Sequence, residues 1–202
     1  MGGPGAGKGT QCARLASHFP SFRHLSVGDL LRREQADPAS KDGQIIKGCI
    51  DGGGLVPVEL SLRLLRRAME ECQGKTTTTT TTTTFLVDGF PRNFENLEGW
   101  ERTMAAEARV LCVLVYDVGV EELRRRILER GETSGRTDDN VKAAEKRFRT
   151  FERETVPVIK RIEREGGWRV ERLEGEAGPE EVWERTRRLM EEVLAGEEQE
   201  GQ

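Results

Sequence analysis

Residues 2–10, Gly-Gly-Pro-Gly-Ala-Gly-Lys-Gly-Thr, decide how the rest of this chain is read. Gly2, four further residues, Gly7 and Lys8 match the phosphate-loop pattern up to its last position, where Gly9 stands with Thr10 one residue later. Glycines let backbone N–H groups converge on phosphate oxygens, and a helix starting at the loop adds the positive end of its dipole. A lysine set beside five glycines has little packing value and a clear use as a charge for the outer phosphates. Such loops ordinarily follow a buried strand that holds the turn rigid. Met1 alone precedes this one, so a missing first strand is expected. Each buried backbone group left unpaired would cost about 1–3 kcal/mol, enough to destabilise a domain badly.

Outward from the loop, 202 residues suit a single domain spanning 1–202. Charged residues make up 34% of the chain and aromatics 5%, which predicts a polar surface over a largely aliphatic core. The net charge of −4 gives no reason to bind nucleic acid or an anionic membrane, so any anion site must be local. No apolar run is long enough to span a bilayer, and no secretory signal opens the chain. Cys12, Cys49, Cys72 and Cys112 are widely spaced and form no CxxC pair, which argues against a zinc site and for a reducing compartment. The expected setting is the cytoplasm, extending to the nucleus.

Helical spacing of apolar residues predicts helices over Lys8–His18, from near Asp29, over Leu60–Cys72, Asn96–Glu107, Glu121–Arg130, Asn140–Glu165 with a kink at Pro157, and Pro179–Leu194. The stretch from Gly43 to Glu59 reads as loop around a short helix, and Glu197–Gln202 as a frayed tail. The start of "HLSVGDLLRREQ", before a turn at Gly28, "FLVD" ending at Asp88, "VLCVLVYDV" and "WRVERL" read as strands, the middle two buried on both faces. Nine consecutive threonines, Thr76–Thr84, offer no alternation to fix a register and read as a loop. Strands alternating with helices predict an α/β protein, a mostly parallel sheet flanked by helices.

Two further elements carry chemistry. Asp88 ends its strand at the sheet edge that bears the phosphate loop, where a carboxylate holds the waters of a magnesium ion bridging phosphates; the competing role is a cap or an ion pair with Arg92. Arg32, Arg92, Arg130, Arg136 and Arg147 are dispersed guanidinium groups of the kind that clamp phosphates, although for any single arginine a solvated surface ion pair is the more ordinary role and only the surrounding motifs lift these five above it.

The motifs "GGPGAGKGTQC", "HLSVGDLLR", "LVPVE", "FLVDGFPRNFEN", "LERGETSGRTDDN" and "EKRF" stand in order from Gly2 towards Leu194. In that order and spacing the chain resembles the nucleoside monophosphate kinases of the adenylate kinase family, and most closely the UMP/CMP kinases among them. The resemblance implies a five-stranded parallel sheet, a monophosphate-binding lobe near residues 29–69 and a short mobile lid near 129–139. It implies transfer of the γ-phosphoryl group of magnesium ATP to a nucleoside monophosphate, by a monomer and without a covalent intermediate. Carried over by motif, Gly3, Pro4, Gly5, Ala6, Gly7, Lys8, Gly9 and Thr10 would bind ATP phosphates, with Arg130 also at ATP. Arg32 and Arg92 would grip the acceptor phosphate, and Gly54, Leu55, Val56, Gly89, Phe90 and Pro91 would line its pocket. Arg136 and Arg147 would close on the transferring group, while Asp138 and Asp139 order the lid. Asn93 and Asn96 match the pattern that reads a pyrimidine edge, and the size of Val27 narrows the base pocket. UMP and CMP are therefore the expected acceptors, with deoxycytidylate beside them. AMP as acceptor, or an inactive chain for want of its first strand, are the alternatives. A phosphate-loop GTPase is disfavoured because no NKxD sequence is present.

Overall fold

The computed structural model describes residues 1–51, 55–74, 83–133 and 141–200. Helix α1 (Lys8–His18) starts at Gly7, whose φ of 83° is left-handed, and stops before Pro20. Strand β1 (Phe22–Ser26) runs directly into α2 (Val27–Ala36), because the Ser26 hydroxyl accepts from the Asp29 N–H at 3.3 Å and caps the helix. Next come α3 (Gly43–Asp51) and α4 (Val58–Gln73). In α4 Val58, Leu62, Leu65 and Met69 fall on one buried face, and Arg63, Arg67 and Glu70 stay in water. Strand β2 (Thr84–Asp88) leads to α5 (Phe94–Thr103), capped by the Asn93 side chain, which accepts from the Asn96 N–H at 2.9 Å. Strand β3 (Val113–Asp117), α6 (Val120–Thr133) and α7 (Val141–Thr150) follow. A π-turn (Phe151–Thr155) joins α7 to α8 (Val156–Glu165), which ends at Gly166 in left-handed conformation. Strand β4 (Val170–Glu174) and α9 (Pro179–Glu200) close the chain.

All strand pairing among the described residues is parallel, as expected of strands joined through helices. β1 pairs with β2, placing Ser26 beside Asp88, and β3 pairs with β4, placing Asp117 beside Glu174. The implied five-stranded sheet is thus present as two pairs rather than one ladder. Met1 and Gly2 lie along the free edge of β3: the Met1 amine donates to Leu114 O, Tyr116 N donates to Met1 O at 3.0 Å, and Gly2 forms an isolated bridge to Tyr116. Burial first, and the Lys8 charge second, lower the Met1 amine to about 5. Between β2 and β3 runs a slot, walled by Phe85, Leu86 and Val87 on one side and Cys112, Val113 and Leu114 on the other.

The slot explains why β2, expected to be buried on both faces, is half-buried along its whole length. Other boundaries also differ from the sequence reading. α5 ends at Thr103 instead of Glu107, and α9 continues to Glu200 through the supposed tail. The long helix after Asn140 is two α-helices with a π-turn between them, since Pro157 has no N–H to give the Arg153 carbonyl. Of the threonine tract, Thr84 opens β2 and residues 76–82 lie outside the described residues.

Side chains pack in clusters around the cleft. Ile46, Leu65 and Met104 centre the cluster under α2–α5, and Ala6, Leu123, Ile127 and Phe148 form the one under the phosphate loop. Leu15, Phe22, Trp183 and Met190 fasten α1 and β1 to α9. No helix among the described residues is long and apolar enough to cross a membrane.

Candidate active site

The slot opens into a cleft at the carboxyl-terminal ends of the strands, the two forming one cavity of about 1420 Å³. This is where parallel α/β sheets place ligands. One wall is the phosphate loop, seated on α6. Gly5 has φ 88°, and a Cβ there would meet Leu123 O at 2.8 Å, so this position needs glycine for both conformation and space. Ala6 is buried beneath the loop against Leu123 and Ile127. Thr10, a residue later than the usual hydroxyl position, is exposed in the first turn of α1.

Lys8 reaches back over this loop, its Nζ donating to Gly2 O at 2.9 Å and Gly3 O at 2.8 Å. Burial of the ammonium pushes its pKa down to about 8; Asp88 pulls it up, while Arg92 and Arg147 add to the depression. The lysine thus carries a charge that burial disfavours and that a phosphate anion beside it would favour.

Asp88 stands at the end of β2 opposite Lys8. Burial opposes its ionisation, yet its carboxyl lies below the ordinary carboxylate value because His24 and the Lys8 ammonium face it. His24 Nε2 is 3.8 Å from Asp88 Oδ2, too far for a formed hydrogen bond. A Cβ on Gly9 would come within 3.5 Å of the same oxygen, so the carboxylate looks onto the start of α1. The expected alternative of an Asp88–Arg92 ion pair is replaced by this His24 and Lys8 surrounding. Among the described residues no three metal-ligating side chains cluster; Asp88 and Glu107 are the carboxylates that line the cavity, and only Asp88 faces Lys8.

The opposite wall carries arginines. Arg32 on α2 lines the cavity and pairs with Asp29, its guanidinium lying over Gly28. Arg92 follows Gly89, Phe90 and Pro91, all of which line the cavity, and the Phe90–Pro91 bond is cis. Gly89 has φ 81°, and a Cβ there would touch the Arg92 guanidinium at 3.0 Å; Arg92 Nε donates to Gly89 O at 2.7 Å. Arg147 enters from α7 with Lys146 beside it. Arginines elsewhere pair on the surface, as Arg14 with Glu180 and Arg172 with Asp117 and Glu163 do.

Leu55, Val56, buried Val27 and Trp100 also line the cavity; the Trp100 Nε1 is buried with no hydrogen-bond partner among the described residues. Asn96 is 5% exposed and lines the cavity, but its Oδ1 already accepts from the Arg92 N–H at 3.1 Å. Asn93 spends its oxygen on the α5 cap and does not line the cavity. Arg130 sits late in α6, outside the cavity lining. Gly54, Arg136, Asp138 and Asp139 lie outside the described residues, as does most of the expected lid. His24, Lys146 and Thr155 line or support the site without having been singled out by sequence. His24 left no distinctive trace, since its strand also carries the polar Arg23 and Ser26.

A family profile for adenylate kinase matches residues 1–166. A UMP-CMP kinase of Danio rerio is 44% identical over 191 residues, 95% of this chain and 94% of the relative. The human UMP-CMP kinase is 42% identical over 184 residues, 91% of each chain, and the Schizosaccharomyces pombe uridylate kinase is 40% identical over 194 residues, 96% of each. Likeness of that extent, carried by a phosphate loop and arginines that face each other across one cleft, shows that this chain belongs to the adenylate kinase family.

Proposed function

We propose that this chain transfers the γ-phosphoryl group of ATP to UMP or CMP, with deoxycytidylate as a further acceptor, giving ADP and the pyrimidine nucleoside diphosphate. The observation that carries this reading is the convergence of Lys8 with Arg32, Arg92 and Arg147 around one cleft that also holds Asp88. The loop from Gly3 to Thr10 binds the donor phosphates and Lys8 neutralises the outermost. Arg32 and Arg92 fix the acceptor phosphate from the other side, and Arg147 meets the charge that develops between the two. Arg130, Arg136 and the 129–139 lid close over the donor, and the lobe at 29–69 over the acceptor, so that closure excludes water. The protein's work is positioning and charge neutralisation, with no general base required.

Asp88 suits magnesium, because a hydrated ion needs one or two carboxylates and the substrate's own phosphates rather than an all-protein cage. When bound beside Asp88, the ion would supply positive charge that offsets that of the phosphates. The active unit in this reading is a monomer. Four free, half-buried cysteines suit a reducing compartment, the cytoplasm or nucleus.

Valine at position 27, buried at 3% exposure on the cavity wall, favours the smaller pyrimidine. In a coupled ADP-release assay with parallel acceptors, kcat/KM for UMP and CMP should exceed that for AMP by at least about tenfold, or about 1.4 kcal/mol. AMP as the best acceptor would overturn the assignment, and so would no turnover with any of them.

A second expectation concerns pH. The Lys8 ammonium of the free protein loses its proton as pH rises through about 8, against an ordinary 10.5. Below pH 8 it is charged with or without nucleotide; between 8 and 10.5 the phosphates return the proton. Calorimetry in buffers of differing ionisation enthalpy should therefore show uptake of about one proton per ATP near pH 9 and almost none from this lysine at pH 7. By the same linkage the free fold gains stability between pH 8 and 10.5, where the unfolded chain still binds the proton. Equal uptake at both pH values would contradict the placement of Lys8 against phosphate.

A further inference from the structure

Four helical threonines behave in two different ways. Thr103, Thr150 and Thr186 donate to the carbonyl four residues back, at 2.8, 3.0 and 2.8 Å, the usual habit of a threonine in a helix. Thr155 instead donates across the cleft wall to Arg92 O at 2.8 Å, a residue 63 positions away, and it is buried at 7% exposure.

The π-turn accounts for the difference. Pro157 cannot donate to Arg153, the helix widens, and the Val156 N–H bonds to Phe151 O. That carbonyl is the one Thr155 would otherwise take, so its hydroxyl turns outward. The widening also serves alignment. Ala143, Arg147, Phe151 and Thr155 all line the cavity, each four residues after the last. In an uninterrupted α-helix such a series drifts about 40° per step. The wider turn takes back part of that drift and keeps Thr155 on the side of Arg147.

Arg92 consequently has both backbone groups held by side chains of other elements: its N–H by Asn96 Oδ1 of α5 at 3.1 Å, its carbonyl by Thr155 of the π-turn at 2.8 Å. Its Nε is tied to Gly89 O. With N–H and carbonyl anchored, the direction in which the guanidinium leaves the chain is set. We infer that Thr155 is a positioning residue for Arg92, and that the hydrogen bond from the π-turn fixes Arg92 relative to Arg147 on the same helical rod. The bond joins the acceptor side of the cleft to the element carrying the arginine that meets the transferring group. This rests on the reading of Arg92 as the acceptor-phosphate ligand.

The test compares Thr155→Val, which keeps shape and loses the donor, with Thr155→Ser, which keeps the donor, and with Arg92→Ala as reference. KM for UMP and for ATP, kcat, and melting temperature are measured for each. The expected result is a rise of about 5- to 10-fold in the UMP KM of Thr155→Val, the size of one lost hydrogen bond, with ATP KM within twofold. Thr155→Ser should restore the UMP KM to within twofold even where its melting temperature falls. A Thr155→Val enzyme with unchanged UMP KM, or with UMP and ATP KM raised together, overturns the inference, and so does failure of serine to rescue. If Arg92→Ala itself leaves the UMP KM unchanged, both the reading of Arg92 and the inference built on it fall; if it raises that KM and Thr155→Val does not, the inference alone falls.

Discussion

Lys8→Met is expected to lower kcat by about 100- to 1000-fold while leaving the melting temperature unchanged or a few degrees higher. Methionine fills nearly the same volume without a charge. The activity loss follows from removing the cation that faces the transferring phosphates, an electrostatic contribution that water cannot replace in a closed cleft. The stability gain follows from the depressed pKa, since at neutral pH the free fold carries an ammonium that burial disfavours. Two hydrogen bonds, to Gly2 O and Gly3 O, are lost in exchange, which limits the gain. Single-turnover kinetics and thermal melting on one preparation separate the two effects. A melting temperature lowered by ten degrees would make Lys8 a strut of the loop, and activity within threefold of the parent would remove it from the chemistry altogether.

Leu15→Ala should do the reverse. Leu15 is fully buried in α1, packed in the cluster with Phe22 of β1 and Trp183 and Met190 of α9. Truncating a leucine in such a site leaves a cavity and costs about 3 kcal/mol. For a chain of this size each kcal/mol is worth about 2–4 °C, so the melting temperature should drop by about 6–12 °C. At 15 °C, where the fold is intact, kcat should stay within about twofold because the phosphate loop leaves α1 at its other end. A change in melting temperature below 2 °C would mean that α1 is not held to α9 by this cluster. A large loss of kcat at 15 °C would mean that the helix transmits packing to the loop.

These contrasting sites were not equally legible in the sequence. The phosphate loop was readable because its requirements are local: Gly5 and Gly7 need left-handed φ, and Lys8 lies a turn away. Asp88 was readable from its position after an apolar run, and Arg92 from the motif around it. What surrounds them was not readable, because it comes from distant chain. His24 reaches Asp88 from the neighbouring strand, a consequence of the β1–β2 register, and Thr155 reaches Arg92 from another helix. Pro157 announced a break, but whether the backbone would bend, stop or widen depended on the packing of Val158, Ile159 and Ile162 beyond it. The sequence offers Asn93 and Asn96 as base readers and gives no sign that their oxygens also cap α5 and brace the Arg92 segment. Apolar runs located the strands correctly within a residue or three, and could not show that the strands would stand as two pairs.

That division gives the ligand a second job. The phosphate loop and Met1–Gly2 lean on β3, while Asp88 and the Arg92 segment continue from β2. No ladder joins those strands among the described residues; side chains of α1 and α9 pack with Leu86 of β2 and Leu114 of β3 to tie the halves, and a bound nucleotide pair would add to that tie. Occupancy then enters the folding equilibrium: ligand at a hundred times its Kd adds about 2.7 kcal/mol to the folded state. Added nucleotides should therefore raise the melting temperature of the chain.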